Sequence, residues 1–120
     1  MMDSNITTNS NRIVQEHVPG KEVTLIHLIA NLEPRVAAML GHSEQKETSV
    51  GIITISPGEA AIVVADLAAK SGAVMIEQLN FDCGSVVIKG DLSSVEYALN
   101  DVRNILGKSM NFAVCPVTRT

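Results

Sequence analysis

The chain has 120 residues, 46% of them hydrophobic, a length that suits one globular domain and is too short for two of ordinary size. Its net charge of −4 and its scattered Lys and Arg residues argue against nucleic acid or an anionic membrane as a partner. With no apolar stretch of membrane-spanning length and no signal-peptide pattern, the sequence predicts a cytoplasmic protein. One Tyr, two Phe and no Trp leave the core to aliphatic side chains. Because the apolar content is high for a thin aliphatic core, we expect neighbouring subunits to cover part of it.

The N-terminal region divides into two segments. Residues 1–11 are polar and aperiodic, which predicts a disordered tail. Residues 12–18 (RIVQEHV) alternate before the turn at Pro19-Gly20, which predicts a strand with two mixed faces. Such a strand is a template for pairing with another chain, so we expect it to be completed between subunits. Residues 19–120 form the main domain.

The main domain begins with a strand, a short helix and a second strand. A strand over 22–30 is followed by a short helix from Pro34 to Gly41 and a polar loop over 42–48. The continuous apolar run at 50–55 indicates a strand that is covered on both faces.

Two Ser-x-x-Glu patterns predict the starts of the longer helices. Ser56-Pro57-Gly58-Glu59 and Ser93-Ser94-Val95-Glu96 each place Ser at the N-cap and Glu three residues later, as in a capping box. The first opens a helix over 57–71, and the second opens a helix that Gly107 ends.

A hairpin and an edge strand complete the predicted elements. The strands 73–79 and 85–89 are joined by Asn80-Phe81-Asp82-Cys83-Gly84, a connection short enough to force antiparallel pairing. Residues 111–118 alternate like a strand that Pro116 confines to an edge. The order β-β-α-β-α-β-β-α-β predicts an α+β fold (α/β in looser usage), one sheet with helices packed on it.

The residues that could carry chemistry are isolated from one another. His17, His27 and His42 lack the short spacing of a metal site, and Cys83 and Cys115 lack CxxC spacing. The sequence therefore predicts no catalytic residue, no metal and no cofactor.

Three polar side chains are given structural roles instead. His27 is predicted to face the same side as Val23, Leu25 and Ile29, as a core or interface histidine. Glu59 is assigned to the helix cap, and Asp66 to a surface or subunit contact.

Two rival functions are weighed. A regulatory α+β oligomer that binds a small molecule would need a convergent polar pocket, and an enzyme would need clustered catalytic groups. The sequence offers neither.

Four separated blocks resemble a known family. The stretches RIVQEHVPGKEVTLIHLIAN, GIITISPGEAAIVVADLAAKSGAV, GSVVIKGDLSSVEYAL and CPVTRT are similar to the circularly permuted bacterial microcompartment shell proteins of the propanediol- and ethanolamine-utilisation type. The match covers residues 12–120. It leaves the enclosed pathway open among propanediol, ethanolamine and choline degradation.

The resemblance implies an architectural function. Family members form cyclic hexamers that tile into a protein shell in the cytoplasm, with other shell proteins and encapsulated enzymes or their targeting peptides as partners. The N-terminal strands of six subunits form a parallel β-barrel that caps the central pore. In this sequence that strand comprises Ile13, Val14, Gln15, Glu16, His17 and Val18.

The resemblance also assigns an edge and a pore-proximal turn. Lys70 matches a lysine between neighbouring hexamers, although a lone Lys at a helix C-terminus also suits the helix dipole. The turn from Asn80 to Gly84 matches the loop near the sixfold axis. Its sequence, Asn-Phe-Asp-Cys-Gly, departs from the Asp-Arg-Phe-small-Gly pattern of relatives, and Asn31-Leu32-Glu33-Pro34 departs from their Asn-Pro-Gly.

Overall fold

A computed structural model describes residues 20–41 and 48–120. The predicted tail over 1–11, the barrel strand over 12–18, and His42 with the loop up to residue 47 lie outside the described residues.

One five-stranded sheet carries the fold. Its order is β3-β4-β2-β1-β5, with antiparallel neighbours except that β5 runs parallel to β1. The strands are β1 (Glu22–Ile29), β2 (Ser49–Ser56), β3 (Met75–Asn80), β4 (Ser85–Gly90) and β5 (Thr118–Arg119). The helices are α1 (Pro34–Met39), α2 (Ala61–Lys70) and α3 (Leu92–Lys108). Over the described residues the order of elements is the predicted one, and the α+β class is confirmed.

The core lies between one face of the sheet and the helices α2 and α3. Aliphatic side chains fill it, as the scarcity of aromatic residues predicted. The largest fully buried apolar side chains are Ile26, Leu28, Ile53, Val64, Val86, Ile88, Val95, Leu99, Val102 and Leu106. Gly51 of β2 faces α3, because a Cβ built on it would lie 2.9 Å from Leu99 Cδ2 and 3.0 Å from Val95 Cγ1. The absence of a side chain there lets α3 lie close to the sheet.

A bulge in β1 changes which residues share a face. The register between β1 and β2 shifts between Val23 and Leu25, so the alternation of the strand restarts there. Val23 is 3% exposed and joins the core, whereas Leu25 is 39% exposed on the opposite face. The prediction that His27 shares a face with Val23 is therefore wrong, since His27 follows the phase of Leu25 and Ile29.

Neither predicted capping box forms. Ser56 remains in β2, where it pairs with Glu22, and a 3-10 turn over Gly58–Ala60 precedes α2 without a side-chain cap from the described residues. Glu59 lies in this turn and does not have the predicted capping role. At α3 the cap is Asp91, whose Oδ1 accepts a hydrogen bond from Ser94 N at 2.9 Å. Because Asp91, two residues before Ser93, supplies the capping oxygen, the helix begins earlier than predicted, and it continues past Gly107 to Lys108.

The predicted strand over 111–118 is mostly irregular. Regular pairing is limited to β5, and a single parallel bridge joins Ala113 to Glu22. Asn111 adopts a left-handed φ of 60°, and Phe112 is buried. Residues 112–120, called the C-terminal strap below, thus pair with the edge of β1 near both ends, and residues 114–117 between them are irregular, where Pro116 cannot donate to a ladder.

Candidate functional site

The turn from Asn80 to Gly84 closes the β3–β4 hairpin, as predicted. Asn80 Oδ1 accepts hydrogen bonds from the amides of Asp82, at 3.0 Å, and Cys83, at 3.2 Å. Gly84 N donates to Asn80 O at 2.9 Å, and Gly84 has a φ of +75°, which favours glycine. The Asn80 side chain therefore satisfies the inner amides that the turn leaves without backbone partners.

The same turn presents three side chains to solvent. Phe81 is 52% exposed, and Asp82 and Cys83 are also exposed. The Cys83 thiol is free and lies 3.3 Å from Ser85 Oγ. Within residues 20–41 and 48–120, no group of three or more His, Cys, Asp or Glu side chains could hold a metal ion.

Lys70 lies in the last turn of α2. Its Nζ is 2.8 Å from Asp66 Oδ2, one helical turn earlier, and both side chains are more than half exposed. The structure thus joins Asp66 to Lys70 in a surface ion pair. The contact is within a helix and leaves most of the Lys70 side chain accessible to another molecule.

His27 connects β1 with the C-terminal strap. Its Nδ1 is 2.6 Å from Thr118 Oγ1 and its Nε2 is 2.9 Å from Thr120 Oγ1. Thr118 Oγ1 also donates to the carbonyl of Ile26, so toward the ring it acts as the acceptor of a hydrogen bond from Nδ1–H. The sequence analysis missed this contact. The alternation of Thr118 and Thr120 around Arg119 was the available signal, since it places both hydroxyls on one face of a strand.

The segment between β1 and α1 also has a defined structure. Glu33 caps α1 by accepting from Arg35 N, and its other oxygen forms an ion pair with the Arg35 side chain at 2.6 Å. The hydrogen bond from the Arg35 side chain, with the contribution of the Arg35 amide, holds the pKa of Glu33 below its ordinary value. The Asn-Leu-Glu-Pro sequence thus forms a capped helix start.

Several large apolar side chains lie on the surface. Met39 is 83% exposed, and Val36 of the same short helix and Leu40 at its C-cap are also exposed. Other exposed apolar side chains are Leu25, Ile62, Met75, Leu79, Phe81 and Tyr97. Exposed apolar surface of this kind commonly marks contacts between proteins. Among the described helices, none has the length and apolarity needed to cross a membrane.

Comparisons with known proteins agree with this fold. The BMC domain model matches residues 49–118. The chain is 49% identical over 111 residues to the bacterial microcompartment shell protein PduU of Salmonella typhimurium, covering 92% of this chain and 95% of that protein. It is 41% identical over 112 residues to the shell protein EutS of the same organism, covering 93% and 99% of the two chains.

Solved structures give the same result. A flat hexamer of CutR has a TM-score of 0.79 at 36% identity, with 92% of each chain covered. A fused permuted hexameric shell protein, MSM0275, has a TM-score of 0.64 at 24% identity, with 78% of this chain and 49% of that chain covered, and it supports the fold alone. The coverage, the identities and the shared α+β sheet together show that this chain belongs to the BMC-domain family of bacterial microcompartment shell proteins.

Proposed function

We propose that this chain is a structural, non-enzymatic subunit of a bacterial microcompartment shell in the cytoplasm. It forms cyclic homohexamers, and these tile with other shell proteins around the encapsulated enzymes. The observation that carries the proposal is the apolar surface that the single chain leaves exposed, with Met39 at 83% and Tyr97 at 61%. Subunit association would remove such side chains from water.

The oligomeric state tests this proposal directly. Light scattering at micromolar concentration should give the mass of six chains, and negative-stain electron microscopy should show rings. A monodisperse monomer would contradict the proposal. The CutR structures supply the precedent, since they include a flat hexamer and screw forms.

We propose that the N-terminal strand caps the central pore of the hexamer. Six copies of Ile13 to Val18 would form a parallel barrel over the axis, and a barrel of so few strands has an interior filled by side chains. Passage of metabolites along the axis should therefore be poor, and encapsulated enzymes or their targeting peptides could dock on the cap. The pore-proximal turn from Asn80 to Gly84 would lie beneath it, and Lys70 would lie at the edge between rings.

Removing residues 1–18 tests the cap. The truncated chain should remain a hexamer, because the exposed apolar side chains proposed for subunit association belong to the main domain, and Cys83 should react faster with a thiol reagent. Cys115, which is half-buried in the C-terminal strap, serves as the internal reference. Equal Cys83 rates in two intact rings would show that the N-terminal strand does not cover the pore.

A further inference from the structure

The pore-proximal turn is in close contact with a residue that is distant in sequence. A Cβ built on Gly58 would overlap the carbonyl oxygen of Phe81 and would lie 3.2 Å from Gly84 N and 3.3 Å from Asp82 O. All three atoms belong to the backbone of the turn, so they cannot move aside as the end of a flexible side chain could. Gly58 lies in the 3-10 turn before α2. The pore-proximal turn from Asn80 to Gly84 therefore packs directly on the junction between β2 and α2.

Glycine is required at position 58 for space and not for backbone conformation. The glycines with positive φ are Gly20, Gly41, Gly72 and Gly84, and Gly58 is not among them. Any residue could adopt the backbone conformation of Gly58, but only glycine leaves room for the turn. Gly84 differs, because it has a positive φ and its missing side chain also makes room for the carbonyl of Ile55.

Two sets of hydrogen bonds complete the attachment. Ile55 N, near the end of β2, donates to Gly84 O at 2.8 Å. Inside the turn, Asn80 Oδ1 accepts from the amides of Asp82 and Cys83. The turn is thus fixed internally by Asn80 and externally by Ile55 and Gly58.

We propose that Gly58 is a positioning residue that holds the pore-proximal turn as a rigid rim, so that a residue outside the turn sets where Phe81 and Asp82 stand at the pore. This inference rests on the proposed function for the location of the turn at the axis. It adds that the rim is a fixed structure and not a mobile gate. The size of the opening then depends on the contact between Gly58 and the turn as much as on the side chains of the turn.

Hydrogen exchange of the intact wild-type protein gives the first test. The amides of Ile55, Asp82 and Cys83 should exchange at least about a hundredfold more slowly than in an unstructured peptide, because each donates a hydrogen bond within the fixed turn or to it. Exchange at Asp82 and Cys83 as fast as in an unstructured peptide would overturn the inference. This test does not depend on the folding of any variant.

A pair of alanine variants gives the second test. Gly58→Ala should raise the exchange rates at Ile55 and Cys83 by about tenfold, since the new Cβ displaces the turn. Gly107→Ala is the matched control, because its Cβ would meet only Val114 side-chain atoms at 3.4 Å. Equal rates in the two variants would overturn the role of Gly58. If Gly58→Ala fails to fold while Gly107→Ala folds, the requirement for space at position 58 is supported, and the wild-type measurement decides whether the turn is fixed.

Light scattering on the same samples separates this inference from the proposed function. A monomer with a protected turn would contradict the hexamer but leave the attachment of the turn intact. A hexamer with a rapidly exchanging turn would contradict only the rigid rim.

Discussion

His27 Nδ1 lies 2.6 Å from Thr118 Oγ1, across the parallel pairing of β1 and β5. With the second contact from Nε2 to Thr120, one imidazole holds two alternate residues of the C-terminal strap. The Thr118 hydroxyl in turn donates to the carbonyl of Ile26, so the ring, the threonine and the β1 backbone form one connected set of hydrogen bonds. The short β5 strand has few backbone hydrogen bonds of its own, so these side-chain contacts make up a large part of its attachment.

His27→Ala should therefore lower the free energy of unfolding by about 1–2 kcal/mol, from the loss of two hydrogen bonds on a partly exposed face. Combining it with Thr118→Val in a double-mutant cycle should give a coupling of about 1 kcal/mol. Urea denaturation at one fixed subunit concentration measures both quantities, since an oligomer's stability depends on concentration. Strictly additive effects of the two substitutions would show that the contact contributes nothing.

The cap of α3 predicts that Asp91 contributes more to stability than Ser93, the residue that the sequence placed at the N-cap. Asp91→Ala should destabilise the protein by about 1 kcal/mol, because Ser94 N loses its acceptor at the helix start. Ser93→Ala should change the stability by less than about 0.5 kcal/mol, because its hydroxyl only donates to Asp91. Thermal unfolding measures the stability of both variants. A larger loss of stability in Ser93→Ala than in Asp91→Ala would show that Ser93 is the N-cap, as the sequence indicated.

Close packing of α3 on the sheet can be tested at Gly51. Gly51→Ala should lower the free energy of unfolding by about 1–3 kcal/mol, since Leu99, Ile88 and Val95 surround the added methyl group. Gly107→Ala is again the control, and it should be neutral or stabilising by up to about 1 kcal/mol because it replaces a glycine inside a helix. Denaturant titration of the two variants decides. A Gly51→Ala protein as stable as the control would mean that α3 and the sheet can separate at little cost.

The role of Lys70 can be separated from its ion pair with Asp66. Both side chains are exposed, so breaking the pair should change the stability of a ring by less than about 1 kcal/mol. If Lys70 contacts neighbouring rings, Lys70→Ala should keep the hexamer and lose extended sheets, whereas Asp66→Ala should keep both. Electron microscopy of the assemblies distinguishes these outcomes. Sheets that form equally well in Lys70→Ala would leave Lys70 with only its helix-terminal role.

The features that the sequence predicted are those that depend on local pattern. The apolar run of β2 and the short connection at Asn80 to Gly84 were each sufficient to predict the element, because burial and chain length determine them. The features that it missed depend on pairing between distant segments. Ser56 is kept in the sheet by Glu22, and the bulge in β1 depends on its register with β2. Neither relationship is visible within a window of neighbouring residues.

The candidate site, too, was predictable from the sequence only where it depends on neighbouring residues. The turn from Asn80 to Gly84 was predictable from the short connection between its strands, and its location at the pore stays a prediction from the family resemblance. The contact of Gly58 with this turn was not predictable, because a glycine before a helix usually indicates a turn or a cap. Its role here is to leave space for the backbone of residues that lie more than twenty positions later in the chain.

The late position of the C-terminal strap has a consequence for synthesis of the protein. His27 and Thr118 are 91 positions apart, so this part of the edge of β1 stays uncovered during synthesis until the C-terminal strap has been made and can reach it. An uncovered edge can pair with the same edge of another nascent chain on the same messenger RNA. The sheet of the subunit is therefore completed only after the strap has been synthesised and has paired with β1.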